Sequence, residues 1–417
     1  MRICLLSYRG NPYSGGQGIY LKYIAEEMVR QGHKVHAVVG PPYPPPMKGV
    51  KLHKIENSHY YERNGADIID RNEPFGIFKP LNFYEYCATR LGAFSEISSF
   101  TFRAFQLVRR IHAKYKFDVI HDNQSIGYGL LLIKYLDIPV VATIHHPLSI
   151  DLASTLERAP TFKKKIKTVI FYPTMMQAFV SKRLDHIITV SQSAKTMIHR
   201  DFGVPPAGMT VIYNGIDRSI FRPLRNVRKK KGKIIFVGNI EDGKKGFAYL
   251  LKALTLIDAG VRLTVVDGGA PHRKITELLI KKMRLGDRVE FTGKTSTEEL
   301  VRHYSESVLA LVPSVYEGFG LPAAEAMSCG VPVVASDGGA LPEVLGDAGI
   351  VVPARDEAAI ASAVNGLLAD PRKLKEMSRR GIERVEKHFK WDRAVREIIE
   401  VYKRSRSSEY RWRNSAC

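Results

Sequence analysis

The first forty residues commit this chain to a parallel α/β sheet. An apolar run at residues 3–8 meets Gly15-Gly16-Gln17-Gly18, an amphipathic stretch follows to Gln31, and Gly32 leads into a second apolar run at 34–39. Strand-like and helix-like periods alternating across a glycine turn predict a strand–helix–strand unit, whose two strands run parallel. The alternation returns at 118–121, 129–135 and 139–144, and again at 186–191. A second series starts with a strand at 233–238 and a helix at 247–257. It continues with strands at 261–266 and 288–292, a helix at 297–305, and strands at 308–312, 331–335 and 350–352. The turn-rich Val204-Pro205-Pro206-Ala207-Gly208 separates the two series. The fold class expected is therefore α/β, with two Rossmann-like, doubly wound parallel-sheet domains at residues 1–207 and 208–390. Such sheets take ligands outside the carboxyl ends of their strands, and two of them facing each other would form an interdomain cleft.

Size and composition narrow the class further. The 417 residues suit two or three domains, and 45% hydrophobic with 25% charged residues is an ordinary globular balance. No run reaches the ~18 apolar residues of a spanning helix. The start of the chain runs straight into a strand, without a signal-peptide cleavage pattern. Cys4, Cys87, Cys329 and Cys417 lie far apart, with neither metal-ligand nor disulfide-framework spacing, so a cytoplasmic setting is expected. The formal charge of +21 attracts anionic partners without choosing among them. No nucleic-acid recognition motif accompanies it, and nucleic acid is not expected as a partner.

Chemistry concentrates in Ser314-Val315-Tyr316-Glu317-Gly318-Phe319-Gly320-Leu321-Pro322-Ala323-Ala324-Glu325-Ala326-Met327. The spacing predicts a strand before it, a glycine loop carrying Glu317, and a helix with Pro322 near its start, Glu325 in its first turns and Gly330 past its end. Gly318 and Gly320 let backbone amides approach a ligand closely, and a helix N-terminus favours an anion. One carboxylate for sugar hydroxyls, one for ribose hydroxyls and amides for phosphate together describe a nucleotide-sugar site.

This string resembles the E-x7-E signature of retaining glycosyltransferases of the GT-B fold, family 4 in particular. The resemblance spans most of the chain. The segment from Val211 to Pro223 is similar to the family's hinge, and Trp391-Asp392 to the terminal element (391–417 here) that packs back on the first domain. The resemblance implies transfer of a sugar from a nucleotide-diphosphate donor, held by the second domain, to a hydroxyl acceptor held by the first. That acceptor would be a sugar or lipid-linked glycan, and transfer would proceed with retention and without a metal or other cofactor. It also implies roles for individual residues. Glu317, His145 and Lys245 would be catalytic. Gly15, Gly16, Asn239, Lys244, Gly268, Thr292, Gly293, Gly318, Phe319, Gly320, Leu321 and Glu325 would bind the donor. Apart from the resemblance, His121, Asp122 and Asn123 end a strand at the same carboxyl edge and are expected to line the acceptor side. The family pattern has an arginine followed by a lysine–glycine pair; here Lys245-Gly246 stand, but the arginine position holds Asn239. Asparagine is neutral and lacks the guanidinium fork for a diphosphate. A non-catalytic relative and a nucleotide-sugar epimerase of the same fold are the alternatives.

Two further segments call for a partner. Residues 40–100 carry Tyr60, Tyr61, Phe75, Phe78, Phe83, Tyr84, Tyr86 and Phe94, expected either to pack an insertion or to form an acceptor-side lid. Thr161 to Tyr172 sets Lys163, Lys164, Lys165 and Lys167 beside Ile170, Phe171 and Tyr172. That composition suits either a solvated basic helix or an interfacial helix on an anionic membrane, which would make the protein peripheral on the membrane's inner face. The other basic run, Arg228 to Lys233, precedes a strand and so belongs to the edge opposite the ligand.

Overall fold

A computed structural model describes residues 1–11, 16–56, 76–269 and 274–407. The chain divides into two compact units. One comprises Met1–Val190, Ala194–Ile212 and the chain from Ala394 onward; the other comprises Ser191–Ser193 and Tyr213–Arg393.

Among the described residues the first unit forms a seven-stranded sheet of β1 (Arg2–Ser7), β2 (Lys34–Val39), β3 (Lys51–Lys54), β4 (Val119–Asn123), β5 (Val140–Ile144), β6 (His186–Thr189) and β7 (Met209–Val211). Their order is β3-β2-β1-β4-β5-β6-β7, and every pairing is parallel, with Leu5 opposite both Ala37 and His121. The second unit holds a six-stranded sheet of β8 (Lys233–Val237), β9 (Arg262–Val266), β10 (Val289–Phe291), β11 (Leu309–Val312), β12 (Val333–Ser336) and β13 (Ile350–Val352). Its order is β10-β9-β8-β11-β12-β13, again wholly parallel. Strand order reverses beside β1 and β4 in one sheet and beside β8 and β11 in the other. These are the switch points where such sheets take their ligands.

Parallel sheets need both faces covered, which explains why their central strands read as continuous apolar runs. β11 (Leu-Ala-Leu-Val) is buried at every position. Ile234, Leu263, Leu309, Leu311 and Val334 build the second core with Leu250, Leu251 and Leu254 of the helix Phe247–Leu256. In the first unit Leu6, Ile120 and Val140 pack against Ala104 and Val108 of the helix Glu96–Tyr115. From Ala394 onward the last helix, Trp391–Arg406, belongs to the first unit, where Arg406 pairs with Asp118 at 3.1 Å.

β3 and β7 are additions to the elements expected from sequence. β3 is Lys-Leu-His-Lys on the sheet edge with no fully buried residue, so it has no apolar run to announce it. β7 has three residues and falls between the turn-rich linker and the start of the hinge-like segment. Among the described residues no helix is long and apolar enough to cross a membrane. The helix Phe162–Phe171 buries none of its residues. Tyr60, Tyr61 and Phe75 of the aromatic insertion lie outside the described residues, whereas Phe78 and Phe83 are exposed.

Leu311 is 1% exposed in the middle of the second sheet. Leu311→Ala should therefore destabilise that unit by about 2–5 kcal/mol through lost burial and a residual cavity. The check is a lower denaturation midpoint by circular dichroism.

Candidate functional site

Because the strands of each sheet are parallel, the loops leaving their carboxyl ends share one edge. In the second unit these loops carry Asn239, Lys244 and Lys245 after β8, Gly268 after β9, Thr292 and Gly293 after β10, and residues 314–320 after β11. Glu317 is the focus. It is 8% exposed, and its Oε1 accepts from the Lys245 ammonium at 2.7 Å and from the Ser314 hydroxyl at 2.8 Å. Its second oxygen has no partner among the described residues.

Two neighbouring loops hold this geometry. Gly246 sits at φ +68°, and a Cβ there would come within 1.9 Å of the Pro313 carbonyl oxygen. The Val315 amide donates to the Lys244 carbonyl at 2.7 Å, so the lysine turn and the glutamate loop are bound backbone to backbone. On the other side Gly339, at φ +66°, would bring a Cβ to 2.3 Å from the Glu317 carbonyl oxygen, and the Ala340 amide donates to that oxygen at 2.9 Å. Only glycine accepts such φ values and such close approach without strain.

Gly320, at φ +98°, precedes the helix Leu321–Ser328, in which Pro322 is the second residue. Gly330 follows the helix in the left-handed conformation. Gly318 and Leu321 flank Phe319 and Gly320 in this turn, while Phe319 itself is buried and meets Phe389 edge-on with centroids 5.3 Å apart. Glu325 is 9% exposed; one oxygen accepts from the Tyr304 hydroxyl at 3.3 Å and the other has no partner among the described residues. Burial raises its pKa to about 7. Asn239 is exposed, and its side-chain oxygen accepts from the Glu241 amide at 2.9 Å, closing its own turn. Lys244 lies 3.7 Å from Asp242. Thr292 hydrogen-bonds the Thr295 hydroxyl at 3.0 Å, and Gly268 and Gly293 both have positive φ. Of the basic run before β8, Lys230 and Lys233 both pair with Glu306.

In the first unit the loops after β4 and β5 are sewn together. Gln124 accepts from the His145 amide at 2.6 Å and donates to the His146 carbonyl at 2.8 Å. The His145 ring meets the Asn123 carboxamide oxygen at 2.8 Å through Nε2, and burial lowers its pKa to about 3. His146 pairs with Asp151 at 2.9 Å. His121, Asp122 and Asn123, expected to line the acceptor side, are interior residues, each no more than 1% exposed. β4 runs on to Asn123, so the three are held within the strand. His121 hydrogen-bonds Thr143 at 2.7 Å and the Tyr402 hydroxyl of the last helix, while Asp122 accepts from the Ile126 amide at 2.9 Å. Burial raises the Asp122 pKa to about 6. Gly16 opens the helix Gly16–Arg30; Gly15 lies outside the described residues. Among the described residues no three His, Cys, Asp or Glu side chains are grouped to hold a metal.

Sequence reasoning missed Ser314 and Tyr304, the hydroxyl partners of the two glutamates. Ser314 is within the motif, three residues before Glu317, where a strand end turns its side chain back onto the loop. Tyr304 lies in a preceding helix, and no local spacing connects it to Glu325.

Two family models match the chain: Glycosyl transferases group 1 over residues 217–384, and Glycosyltransferase Family 4 over residues 14–220. An MMP α-(1→4)-mannosyltransferase of Mycolicibacterium hassiacum is 33% identical over 412 residues, covering 97% of this chain and 98% of the relative. Among solved structures, sucrose-phosphate synthase from Thermosynechococcus elongatus aligns with a TM-score of 0.75 at 25% identity, covering 97% of this chain and 98% of that one. Anabaena HepE in complex with UDP and glucose aligns with a TM-score of 0.69 at 18% identity, over 96% and 99% of the two chains.

The raised pKa of Glu325 has a consequence for stability. Its ordinary value is 4.5, so between about pH 4.5 and 7 an unfolded chain releases a proton that the folded chain keeps. Stability should fall as pH rises through that window and level off above it, by about 3 kcal/mol from this one group. Glu325→Gln should remove that component, which denaturant titrations at a series of pH values would measure.

Proposed function

We infer the reaction from one premise: this chain belongs to the glycosyltransferases, its second half matching group 1 and its first half family 4. It is a glycosyltransferase built from two parallel-sheet α/β units, the fold of its GT-B structural relatives. The substrate is a nucleotide-diphosphate sugar, bound at the carboxyl edge of the second sheet, and the sugar passes to a hydroxyl acceptor with retention of configuration and without a metal. The observation that carries this reading is the Glu317 carboxylate. Ser314 and Lys245 hold one of its oxygens, and the other is left for a sugar hydroxyl.

Glu317 orients the transferred sugar and Glu325 accepts from ribose hydroxyls. Lys245, the amides around Gly320 and the helix that follows stabilise the departing diphosphate, electrostatic stabilisation of that kind being commonly the largest catalytic contribution. Because Asn239 is neutral and closes its own turn, Lys245 carries more of that charge than an arginine–lysine pair would require. His145 contacts a substrate sugar. A mannosyl donor is the first to test, since the relative at 33% identity is a mannosyltransferase. That relative is also named for an α linkage, which is retention if its donor is α-linked.

The protein acts in the cytoplasm, peripherally on an anionic membrane surface. The helix Phe162–Phe171 supports this: Phe162 is 78% and Val169 54% exposed beside Lys163, Lys164, Lys165 and Lys167, all exposed.

Glu317→Ala should lower turnover on the order of 10²-fold with nucleotide affinity little changed, whereas Glu325→Ala should weaken nucleotide binding by roughly 1–3 kcal/mol. Calorimetry with the nucleotide diphosphate and initial rates with the donor separate the two, and full turnover in the Glu317 variant would refute its role. Lys245→Ala should nearly abolish transfer; an active Lys245 variant would mean that another cation neutralises the leaving group. Sedimentation with vesicles should require anionic lipid, each lysine contributing about 1 kcal/mol, and should fade as salt rises. Equal binding to neutral vesicles, or none to either kind, would refute the membrane reading.

A further inference from the structure

The hydrogen bonds around Asn123 determine more than the position of His145. Asn123 Nδ2 lies 2.9 Å from the Gln17 carbonyl oxygen and 3.3 Å from the Ser7 hydroxyl, while its Oδ1 lies 2.8 Å from His145 Nε2. A carbonyl oxygen only accepts, so the carboxamide must turn its NH2 toward Gln17; the flipped amide would set two acceptor oxygens 2.9 Å apart. Oδ1 then faces the imidazole and also only accepts, so Nε2 must carry the hydrogen. Burial keeps the ring neutral, with a pKa near 3, and the Tyr20 ring packs edge-on at 4.8 Å. A neutral ring protonated on Nε2 has a bare Nδ1, and among the described residues nothing bonds to it.

We propose that Asn123 is a positioning residue that locks His145 as the Nε2-protonated tautomer, so that Nδ1 accepts a hydrogen bond from a hydroxyl of a substrate sugar. Asn123 therefore takes its place behind His145 instead of on the acceptor. Because the amide orientation is dictated by the Gln17 carbonyl, the first turn of the helix Gly16–Arg30 is part of the lock. An imidazole that accepts selects a ligand group able to donate there, and discriminates against a sugar whose hydroxyl is replaced by hydrogen or O-methyl. The assignment of the ligand rests on the glycosyltransferase reading; the tautomer does not.

Histidine-selective 15N NMR reads the tautomer directly, with His145→Gln identifying the signal. The expected wild-type signature is a protonated Nε2 and a bare Nδ1, unchanged down to about pH 5. In Asn123→Leu the ring should show mixed tautomers while staying neutral, because leucine brings neither an acceptor nor a charge to it. Its kcat should fall on the order of 10-fold at unchanged affinity for the nucleotide diphosphate. Asn123→Asp keeps the shape but places a carboxylate against Nε2, so its rate should drop further as pH falls and the imidazole charges. A protonated Nδ1 in the wild-type protein would overturn the lock whether or not transfer is detected. A locked wild-type ring combined with wild-type kcat in both variants would overturn the sugar contact while leaving the glycosyltransferase reading intact.

Discussion

The Lys245–Glu317 contact depends on backbone before it depends on charge. A lysine from the loop after β8 reaches a glutamate from the loop after β11 because Val315 donates to the Lys244 carbonyl and Gly246 lets the two loops close to contact. Those strands are neighbours only because the chain order reverses at that point of the sheet. A partly buried ion pair is seldom a large source of stability, since desolvation offsets much of the attraction. Its value here lies in direction: one carboxylate oxygen is held by two donors and the second has no partner among the described residues.

Burial shifts two titratable groups, one in each unit, in opposite directions. At Glu325 it raises the carboxyl to about 7, so that the group sits near the point of changing charge at neutral pH. At His145 burial lowers the imidazole to about 3, and the ring stays neutral across the working range. One environment leaves a group adjustable and the other removes a choice, by the same penalty on the charged form.

The α/β alternation and most strands were legible because parallel strands buried on both faces leave apolar runs. β3 and β7 were not, one being a polar edge strand and the other three residues just past a turn-rich segment. Glu317, Glu325 and Lys245 were legible because glycines at fixed offsets mark where a backbone must approach another. Tyr304 was invisible because its contact with Glu325 is made across the packing of two helices. His121, Asp122 and Asn123 were read as a strand end lining the acceptor side, yet the strand continues through them and turns them to interior work. The orientation of Asn123 depends on the Gln17 carbonyl, and main-chain oxygens leave no trace in a residue pattern.

The most direct test of the central claim is the anomeric configuration of the product. Purified protein, stripped of metal with a chelator, would be given an α-linked nucleotide-diphosphate sugar and a hydroxyl acceptor, and the new linkage read by proton NMR. Formation of an α linkage at an undiminished rate is the predicted result. A β linkage, a rate that returns only with added divalent metal, or release of a free epimer without any new glycosidic bond would contradict it.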